Sequence, residues 1–533
     1  MRLRLPALFV ALALVISGCS DDDDAREAGQ DDAAATEPVR GGVLRVGIER
    51  PRSLDPAEAL TSSQAELLVA DLMFDGLTRI DAETGRAVPA VAEKVVASKD
   101  RKKWRFRMRK DRRFANDRVI TAKDAEFSIE RVAKKGARSP AAAQLELIAG
   151  YRDFVDGKSK DLAGVEVAKR DKNVLVVTLR APFTTLPELF ASPLFGMVPR
   201  EAVRRPNPAF KSAPVGSGPF VLDEREGNIV HLVKAKGVEA YLDGIDLEFF
   251  DDTEAAYESF AQGELDWSQV DNSRVEEAAE RYGRDGFEPF QATLFYGFNL
   301  KHPSFKNRQF RQAIVRAIDR EALVRAVYND TVAPMDGVVI SGVAGAREDA
   351  CGARCEYDPA KSKALIKEAF GKKKPPTIAI DYDASTTQEA IAKTMAASLK
   401  EVGITAKLRG KPFADYQEFV GTGKQQMFRL GWISVYPSAD AFLLPLFLSG
   451  VPDNVTGFAN DEIDKLLRSA RAEADADKRA ALYAKAEATI MKYVPVVPIA
   501  QFQTHSVSAT RVHDLDVTVR GTFDPTRVWV TGG

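Results

Sequence analysis

A strand–helix–strand pattern in residues 245–267 is the feature that most restricts the fold of this chain. Residues 245–250 alternate apolar and polar side chains as a strand does, and residues 265–267 begin a second strand. Between them, Thr253 is the predicted N-cap of a helix that ends near Gly263. Strands joined through a helix of this length favour parallel pairing, with the helix covering one face of the sheet. The pattern therefore predicts an α/β fold.

The same pattern recurs much later in the chain. Residues 378–382 form a predicted strand, residues 387–402 a predicted helix and residues 404–408 the following strand. Gly403 ends the helix. Two such units, far apart in the sequence, predict two α/β lobes.

The start of the chain predicts where the protein is located. A basic start at residues 1–4 precedes an apolar run over residues 5–16, which has the length of a signal-peptide core and is too short for a membrane span. Small residues stand directly before Cys19, as in the lipobox of bacterial lipoproteins. We interpret residues 1–18 as a lipoprotein signal peptide and Cys19 as the lipid-attachment site. The alternative is a secretory signal followed by an incidental cysteine.

A lipidated Cys19 predicts an extracytoplasmic protein, lipid-anchored to the cell membrane on its periplasmic or cell-surface side. Residues 19–40 are rich in Asp, Ala and Glu and are predicted to form an acidic flexible tether. No later stretch reaches the roughly 18 consecutive apolar residues of a spanning helix. We therefore expect the protein to sit on the membrane without crossing it.

The charge balance of the chain argues against one broad class of partner. The 533 residues include 75 Lys and Arg and 77 Asp and Glu, for a formal net charge of −2. This balance is untypical of a nucleic-acid-binding protein and gives no electrostatic indication of a substrate. The length suffices for two or three domains with large cores.

Two cysteines follow Cys19, namely Cys351 and Cys355. In an exported protein their short spacing favours a local disulfide. The alternative is that they are two ligands of a metal site, although structural zinc takes four Cys or His ligands and no histidine lies nearby in the sequence. In either case the pair would hold a loop and carry no chemistry.

Recognisable catalytic motifs are missing from the sequence. The four histidines at 231, 302, 505 and 513 form no metal-binding spacing, and no phosphate-binding glycine loop is present. Ser217 lacks the glycine two residues before it that a nucleophile elbow requires, since Val215 stands there. We predict a binding protein with no metal and no cofactor rather than an enzyme, and keep an exported hydrolase as a rival hypothesis.

Several short segments, in order along the chain, together resemble the oligopeptide- and dipeptide-binding family of bacterial ABC importers, which is family 5 of the solute-binding proteins. The resemblance covers roughly residues 41–530. The segments that carry it are residues 41–48, 53–56, 73–79, 89–93, 104–110, 113–114, 121–128, 215–220, 296–300 and 311–320, Gly431-Trp432 and Tyr436-Pro437.

This resemblance implies a two-lobe, periplasmic-binding-protein-like α/β fold with a hinge and an extra subdomain on lobe I. It also implies that a ligand is bound between the lobes and that a membrane permease, with its ATPase, recognises the closed form of the protein. A monomer suits such a hinge-bending receptor. The implied boundaries are 41–80 for the first part of lobe I, 81–185 for the extra subdomain, 186–290 for the continuation of lobe I, 291–503 for lobe II and 504–533 for the C-terminal return to lobe I.

The chain is expected to cross between the lobes near residues 289–295 and to return near residues 498–504. In peptide binders of this family, an Arg three residues before a Gly-Trp pair lines the ligand site together with that pair. Here those positions are Arg429, Gly431 and Trp432. Trp432 would be an apolar wall, with core packing as its alternative, and Arg429 would bind a carboxylate, with a solvated surface charge as its alternative.

One position departs from the family pattern. Peptide binders carry an Asp three residues after that Trp, where it pairs with the peptide ammonium, and this chain has Val435. A desolvated ammonium without a carboxylate partner is costly. The default ligand is therefore a peptide, and the alternative is a non-peptide solute such as a metal chelate, a glycoside or a modified amino compound.

The remaining candidates are also implied by the resemblance. Tyr436 and Asp440 follow the Gly-Trp pair, and Asp440 is predicted as a helix cap for residues 441–448, with a substitute ammonium anchor as its alternative. On the facing lobe, Thr61 and Ser62 are expected at the cleft rim. Just past the crossing, Tyr296 is a candidate ligand contact, and Asn299 is expected to hold the hinge backbone.

Overall fold

The computed structural model describes residues 37–82, 84–134, 136–137, 139–203 and 207–532. The predicted signal peptide, Cys19 and the predicted tether up to residue 36 lie outside these ranges. From Val39 onward the chain forms one unit.

The strands belong to one large sheet, one four-stranded sheet and two small pairs. Their bounds are β1 Val43–Glu49, β2 Thr78–Ile80, β3 Ala87–Pro89, β4 Ala92–Ala97, β5 Lys103–Met108, β6 Val165–Val167, β7 Val174–Thr178, β8 Phe220–Glu226, β9 Ile229–Lys234, β10 Gly244–Phe250, β11 Trp267–Gln269, β12 Phe287–Phe298, β13 Val332–Pro334, β14 Ile378–Asp383, β15 Ala406–Lys411, β16 Met427–Ile433, β17 Val496–Ser508, β18 Val512–His513 and β19 Trp529–Val530.

The helices pack mainly on the faces of these sheets. Their bounds are α1 Gln64–Met73, α2 Ala122–Ala133, α3 Tyr151–Val155, α4 Leu186–Leu189, α5 Arg200–Val203, α6 Thr253–Ala261, α7 Val275–Tyr282, α8 Arg308–Ala317, α9 Arg320–Tyr328, α10 Pro359–Phe370, α11 Thr386–Glu401, α12 Phe413–Gly421, α13 Asp440–Phe447, α14 Asp461–Ala472 and α15 Ala476–Met491. Within the described ranges, no helix combines the length and apolar character that crossing a bilayer requires.

The large sheet runs through both lobes of the molecule. Its strand order is β15-β14-β16-β12-β17-β11-β1-β10-β9-β8, and β13 pairs with β17. The long strands β12 and β17 are antiparallel neighbours in the middle of this order, with Pro289 opposite Gln503 and Phe295 opposite Pro498. Both expected crossings fall on these two strands, which we call the crossing strands. The first lobe lies on the β11 side of them and the second lobe on the β16 side.

Both strand–helix–strand patterns form parallel pairings. Strands β10 and β11 flank β1, and each is parallel to it. Strand β14 is parallel to β15, with α11 between them in the chain. The predicted cap of α6 is wrong by one residue, since the side chain of Asp252 accepts a hydrogen bond from the Ala255 N–H and Thr253 is the first helical residue. Adjacent Asp and Thr are both good caps, so the sequence does not choose between them.

A separate four-stranded sheet, in the order β4-β5-β7-β6, lies within residues 92–178 and packs against α2. Strand β5 alternates strictly, with Trp104, Phe106 and Met108 buried and the basic residues between them exposed. This alternation buries one face and leaves the other in water. The sheet falls inside the segment that we expected to be an extra subdomain.

The loop before α10 is closed by a disulfide between Cys351 and Cys355, with 5.6 Å between their Cα atoms. Both side chains are fully buried, and the short 3₁₀ turn Gly352–Arg354 lies between them. The pair thus occupies a structural position in the second lobe.

Candidate functional site

Strand β16 presents three of the predicted ligand-contacting residues. It pairs with the crossing strand β12, which places Arg429 opposite Tyr296, Gly431 opposite Leu294 and Trp432 opposite Thr293. The facing part of β12 is buried throughout, whereas residues 429–433 are each partly exposed. Strand β16 therefore lies beside β12, and the side chains at its end are partly accessible to solvent.

Alternation along β16 separates the two large side chains of this group. Successive strand residues point to opposite faces of a sheet, so Arg429 and Gly431 share one face and Trp432 lies on the other. The ideal Cβ position of Gly431 lies 3.5 Å from Nη2 of Arg429. Glycine therefore leaves space directly beside the guanidinium.

The guanidinium of Arg429 faces a carboxylate that sequence reasoning missed. Its Nε lies 3.6 Å from Oδ1 of Asp383, and these side chains are 24% and 11% exposed. Asp383 is the last residue of β14, which runs parallel to β15 and β16. The carboxyl ends of parallel strands are where α/β proteins place functional side chains, and this position was the available sequence signal.

Three tyrosines stand close to this ion pair. The hydroxyl of Tyr416 donates a hydrogen bond of 2.6 Å to the backbone oxygen of Arg429. Burial raises the pKa of Tyr296, of Tyr328 and of Tyr416 above the ordinary tyrosine value, while Arg429 lowers each to a smaller degree. The three phenols therefore stay neutral and protonated at physiological pH.

Tyr296 is fully buried and its hydroxyl has no hydrogen-bond partner among the described residues. The structure thus presents none of its surface to solvent, and its contact with a ligand stays a prediction. Asn299 donates to the backbone oxygens of Gly423 and Gln425 at 2.9 and 2.8 Å. These bonds hold the chain just before β16, and a role of Asn299 at the hinge stays a prediction.

Trp432 is held in place by its ring nitrogen. Nε1 donates a hydrogen bond of 2.6 Å to the backbone oxygen of Ala441 in α13, and the ring is partly exposed. The next two candidates, Val435 and Tyr436, are 5% and 2% exposed and belong to the apolar core. Trp432 is therefore partly exposed, whereas Val435 and Tyr436 are buried.

Asp440 does not cap its helix, contrary to the sequence prediction. Ala439 is the N-cap of α13, and Asp440 is the first helical residue. Its Oδ2 instead accepts hydrogen bonds from the hydroxyl of Thr185 at 2.5 Å and that of Tyr436 at 3.1 Å. Thr185 comes from a segment far away in the sequence. A tertiary hydrogen bond therefore engages the Asp440 carboxylate in place of the helix N-terminus.

Next to Asp440 lies a second buried acid, Glu188. Burial raises its pKa to about 7, and Asp440 adds to the rise, while Arg479 opposes it from 3.9 Å. The backbone N–H of Thr184 also donates to the backbone oxygen of Arg471 in α14. Residues 184–188 thus contact helices α13–α15 through polar groups.

The first-lobe candidates lie in the turn before α1. Thr61 is half-buried and Ser62 is exposed. Ser62 lines a cavity of about 440 Å³, whose other lining residues include Arg52, Gln269 and His505. Burial lowers the pKa of His505 to about 4, so its imidazole is neutral at physiological pH.

The two groups of candidate residues lie at different positions in the large sheet. Gln269 and His505 place the Ser62 cavity beside β11 and β17, whereas Arg429 and Trp432 stand on β16. Strand β12 lies between β16 and β17 in the sheet order. The two groups of candidate residues are therefore on separate strands of the same sheet.

Comparison with known proteins identifies the family of this chain. The model of the bacterial extracellular solute-binding proteins, family 5 (middle), matches residues 86–454, which is more than half of the chain. The chain belongs to this family. Members of family 5 are extracellular solute-binding proteins, so the resemblance inferred from short segments is confirmed.

Two curated relatives and one solved structure show how far the likeness to family 5 extends. The dipeptide-binding protein DppE of Bacillus subtilis is 28% identical over 512 residues, 92% of each chain. The probable deoxycholate-binding periplasmic protein YgiS of Escherichia coli is 26% identical over 468 residues, 84% of this chain and 86% of its own. The unliganded open form of MppA, a periplasmic murein tripeptide binding protein, superposes with a TM-score of 0.79 at 24% identity and covers 92% of this chain and 97% of its own. The two-lobe α/β fold is thereby confirmed.

Proposed function

We propose that this family 5 protein captures peptides outside the cytoplasm and delivers them to the permease and ATPase of an ABC importer. The observation that carries the proposal is the partly exposed strand β16, with Arg429, Gly431 and Trp432, beside the crossing strands. DppE and MppA, whose names specify a dipeptide and a murein tripeptide, support peptides as the ligand class.

The residues of β16 suit a peptide in chemically different ways. Trp432 offers a flat apolar surface whose orientation is held by the bond to Ala441. Gly431 allows a ligand backbone to approach the strand closely, because no side chain stands there. The cavity at Ser62 supplies hydroxyl and amide groups on the first lobe.

Capture requires the lobes to close on the ligand. The crossing strands β12 and β17 are the connection about which closure occurs, and we propose residues 291–503 as lobe II and residues 41–80, 186–290 and 504–533 as lobe I. Residues 81–185 form the extra subdomain of this proposal. Thr61, Tyr296, Val435, Tyr436 and Asp440 remain proposed ligand contacts.

The membrane attachment is part of the proposal. Lipidation of Cys19 would hold a monomeric receptor within reach of its permease. Replacing Cys19 with serine (C19S) is expected to move the protein from the membrane fraction to the soluble extracytoplasmic fraction, detected by immunoblotting. Absence of a lipid adduct on Cys19 in mass spectrometry of the wild-type protein contradicts lipid anchoring.

A non-peptide ligand is the second candidate, and one position favours it. Val435 offers no charge to a peptide ammonium, and it is 5% exposed within an apolar cluster. The relative YgiS is named for deoxycholate, which is not a peptide. Peptides remain the better supported class, since the names of DppE and MppA both specify them.

The test measures thermal stability with a peptide library and with non-peptide solutes. A ligand at about 100 times its dissociation constant adds about 2.7 kcal/mol to the free energy of unfolding and raises the midpoint. We expect peptides to produce this shift. A shift with a non-peptide solute and none with any peptide would overturn the peptide proposal.

A variant at Trp432 locates the site. Trp432→Ala is expected to weaken peptide binding by about tenfold to a hundredfold, as for a buried aromatic contact, in isothermal titration calorimetry. Phe413→Ala is the matched control, because Phe413 is 57% exposed at the start of α12. Equal affinities of the two variants would place the ligand away from β16.

A further inference from the structure

We propose that Asp383 sets ligand specificity by neutralising Arg429, so that this part of the site takes an uncharged donor–acceptor group, such as a peptide amide, in place of a free carboxylate. The inference rests on the proposed peptide-binding function and deepens it. It concerns the face of β16 that carries Arg429 and Gly431.

The ion pair between the two side chains is incomplete. Nε of Arg429 and Oδ1 of Asp383 are 3.6 Å apart, which balances the charges but is too long for a hydrogen bond. Both atoms are buried and have no hydrogen-bond partner among the described residues. The other carboxylate oxygen, Oδ2, accepts from the hydroxyl of Ser385 at 3.1 Å. One donor and one acceptor are therefore left unsatisfied side by side.

A neighbouring ion pair on the same strand shows what a purely structural pair looks like. Asp381, also on β14, accepts two hydrogen bonds from Arg409 at 2.6 and 2.8 Å and a third from the Gln426 N–H at 2.8 Å. Its carboxylate is saturated and forms the bidentate geometry that arginine favours. Asp383 and Arg429 lie in the same sheet and do not adopt this geometry.

Tyrosine hydroxyls lie near the incomplete pair. The hydroxyl of Tyr296, which is close to both Arg429 and Asp383, is buried and likewise has no hydrogen-bond partner within the described ranges. Tyr328 and Tyr416 stand near the same charges. Buried polar atoms without partners are costly, so a group that both donates and accepts would be stabilised here.

A free ligand carboxylate would be poorly accommodated. It would share Arg429 with Asp383, and two carboxylates at one site disfavour their joint ionisation. An amide carries no charge, can accept from the guanidinium and can donate to Asp383. Nε and Oδ1 are themselves buried, but the Arg429 side chain as a whole is 24% exposed and Gly431 leaves space beside it, so a ligand group can approach the pair from that side. The receptor would therefore recognise peptide backbone or amidated ends at this point and would not select for a terminal carboxylate.

The test is calorimetric titration with one binding peptide in two forms, a C-terminal acid and the matching C-terminal amide. Wild-type protein is expected to bind the amide at least as tightly as the acid. Asp383→Asn frees the charge of Arg429 and is expected to shift the acid-to-amide affinity ratio about tenfold or more toward the acid. Glu389→Gln is the matched control, because Glu389 also carries a negative charge at the start of α11 but pairs with Lys393.

The outcomes separate the two proposals. A wild-type preference for the acid of about tenfold, or an unchanged ratio in folded D383N, overturns the role of Asp383 while peptide binding stands. Binding of neither form, or of any other peptide, overturns the proposed function itself. If D383N does not fold, the acid-to-amide ratio of wild-type protein alone decides, since it needs no variant.

Discussion

At the scale of single residues, buried ionisable groups depart furthest from their behaviour in water. Glu487 in α15 accepts hydrogen bonds from the backbone N–H groups of Val338 and Val339 at 2.7 and 2.9 Å. Burial nevertheless raises its pKa to about 7. The folded protein therefore binds a proton between about pH 4.5 and 7 that the unfolded chain has lost.

This difference predicts how stability depends on pH at Glu487. Its raised pKa gives a contribution that is fully present below about pH 4.5 and is lost as the pH rises toward 7, by roughly 1.4 kcal/mol per unit at most. Glu487→Gln keeps an acceptor oxygen and is expected to flatten this decline in urea titrations at several pH values. His505 acts in the opposite direction, because its lowered pKa costs stability as the pH falls from about 6.5 toward 4.

Glu280→Gln is the control for that series, since Glu280 is exposed on α7. An identical pH profile for E487Q, E280Q and the wild type would show that Glu487 carries no extra proton in the folded state.

At the scale of secondary structure elements, one carboxylate joins three parts of the first lobe. Asp266 lies just before β11 and is fully buried. It accepts from Arg45 of β1 at 2.8 and 3.1 Å and from Arg511, beyond β17, at 2.7 and 2.6 Å. Burial raises its pKa, but the two guanidinium groups and the Arg45 N–H outweigh burial and hold it at about 2.

Removing the charge of Asp266 is expected to lower the stability of the protein. Asp266→Asn leaves Arg45 and Arg511 without their carboxylate, and we expect the free energy of unfolding to fall by about 2 to 3 kcal/mol. This is below the value for a fully buried pair because the Arg45 side chain is 41% exposed. The stability that the Asp266 carboxylate contributes to the wild-type protein is present above about pH 4 and is lost as the pH falls toward 2.

The control for D266N is Asp246→Asn on β10, whose side chain is 35% exposed and pairs with His231. Urea denaturation at neutral pH measures both variants. If D266N loses no more unfolding free energy than D246N, the contact of Asp266 with Arg45 and Arg511 adds no stability of its own.

At the scale of the whole molecule, the proposed closure of the lobes about the crossing strands also involves contacts elsewhere in the chain. The Thr185–Asp440 hydrogen bond and the contact of Glu188 with Arg479 link the segment after the four-stranded sheet to helices of the second lobe. A ligand can close the lobes only by as much as it favours the closed state over the open one. Binding energy from both halves of the site is therefore needed.

Small-angle X-ray scattering tests this closure. A saturating peptide is expected to reduce the radius of gyration, because closing the lobes brings their masses together. Trp432→Ala is expected to need about tenfold more peptide or more for the same change, in proportion to its lost affinity. An unchanged radius of gyration at saturation would contradict hinge closure in this protein.

The sequence by itself determined the architecture of this protein. Alternation and helix signals located β10, α6, β11, β14, α11 and β15, because those patterns depend on local burial with a period of two or 3.6 residues. The segments expected to cross between the lobes lie on the paired strands β12 and β17, and their role as crossings stays a prediction. Errors at this level were confined to boundaries, such as the α6 cap at Asp252 instead of Thr253.

Only the tertiary structure decided the chemistry of the candidate site. It assigned Asp440 to Thr185 instead of a helix end, and it set Asp383 against Arg429. Each outcome depends on which distant segments are in contact in the folded protein. Asp383 and Arg429, for example, come from different strands. A local pattern predicts which residues form a strand, whereas charge pairing depends on distances across the sheet that folding alone creates.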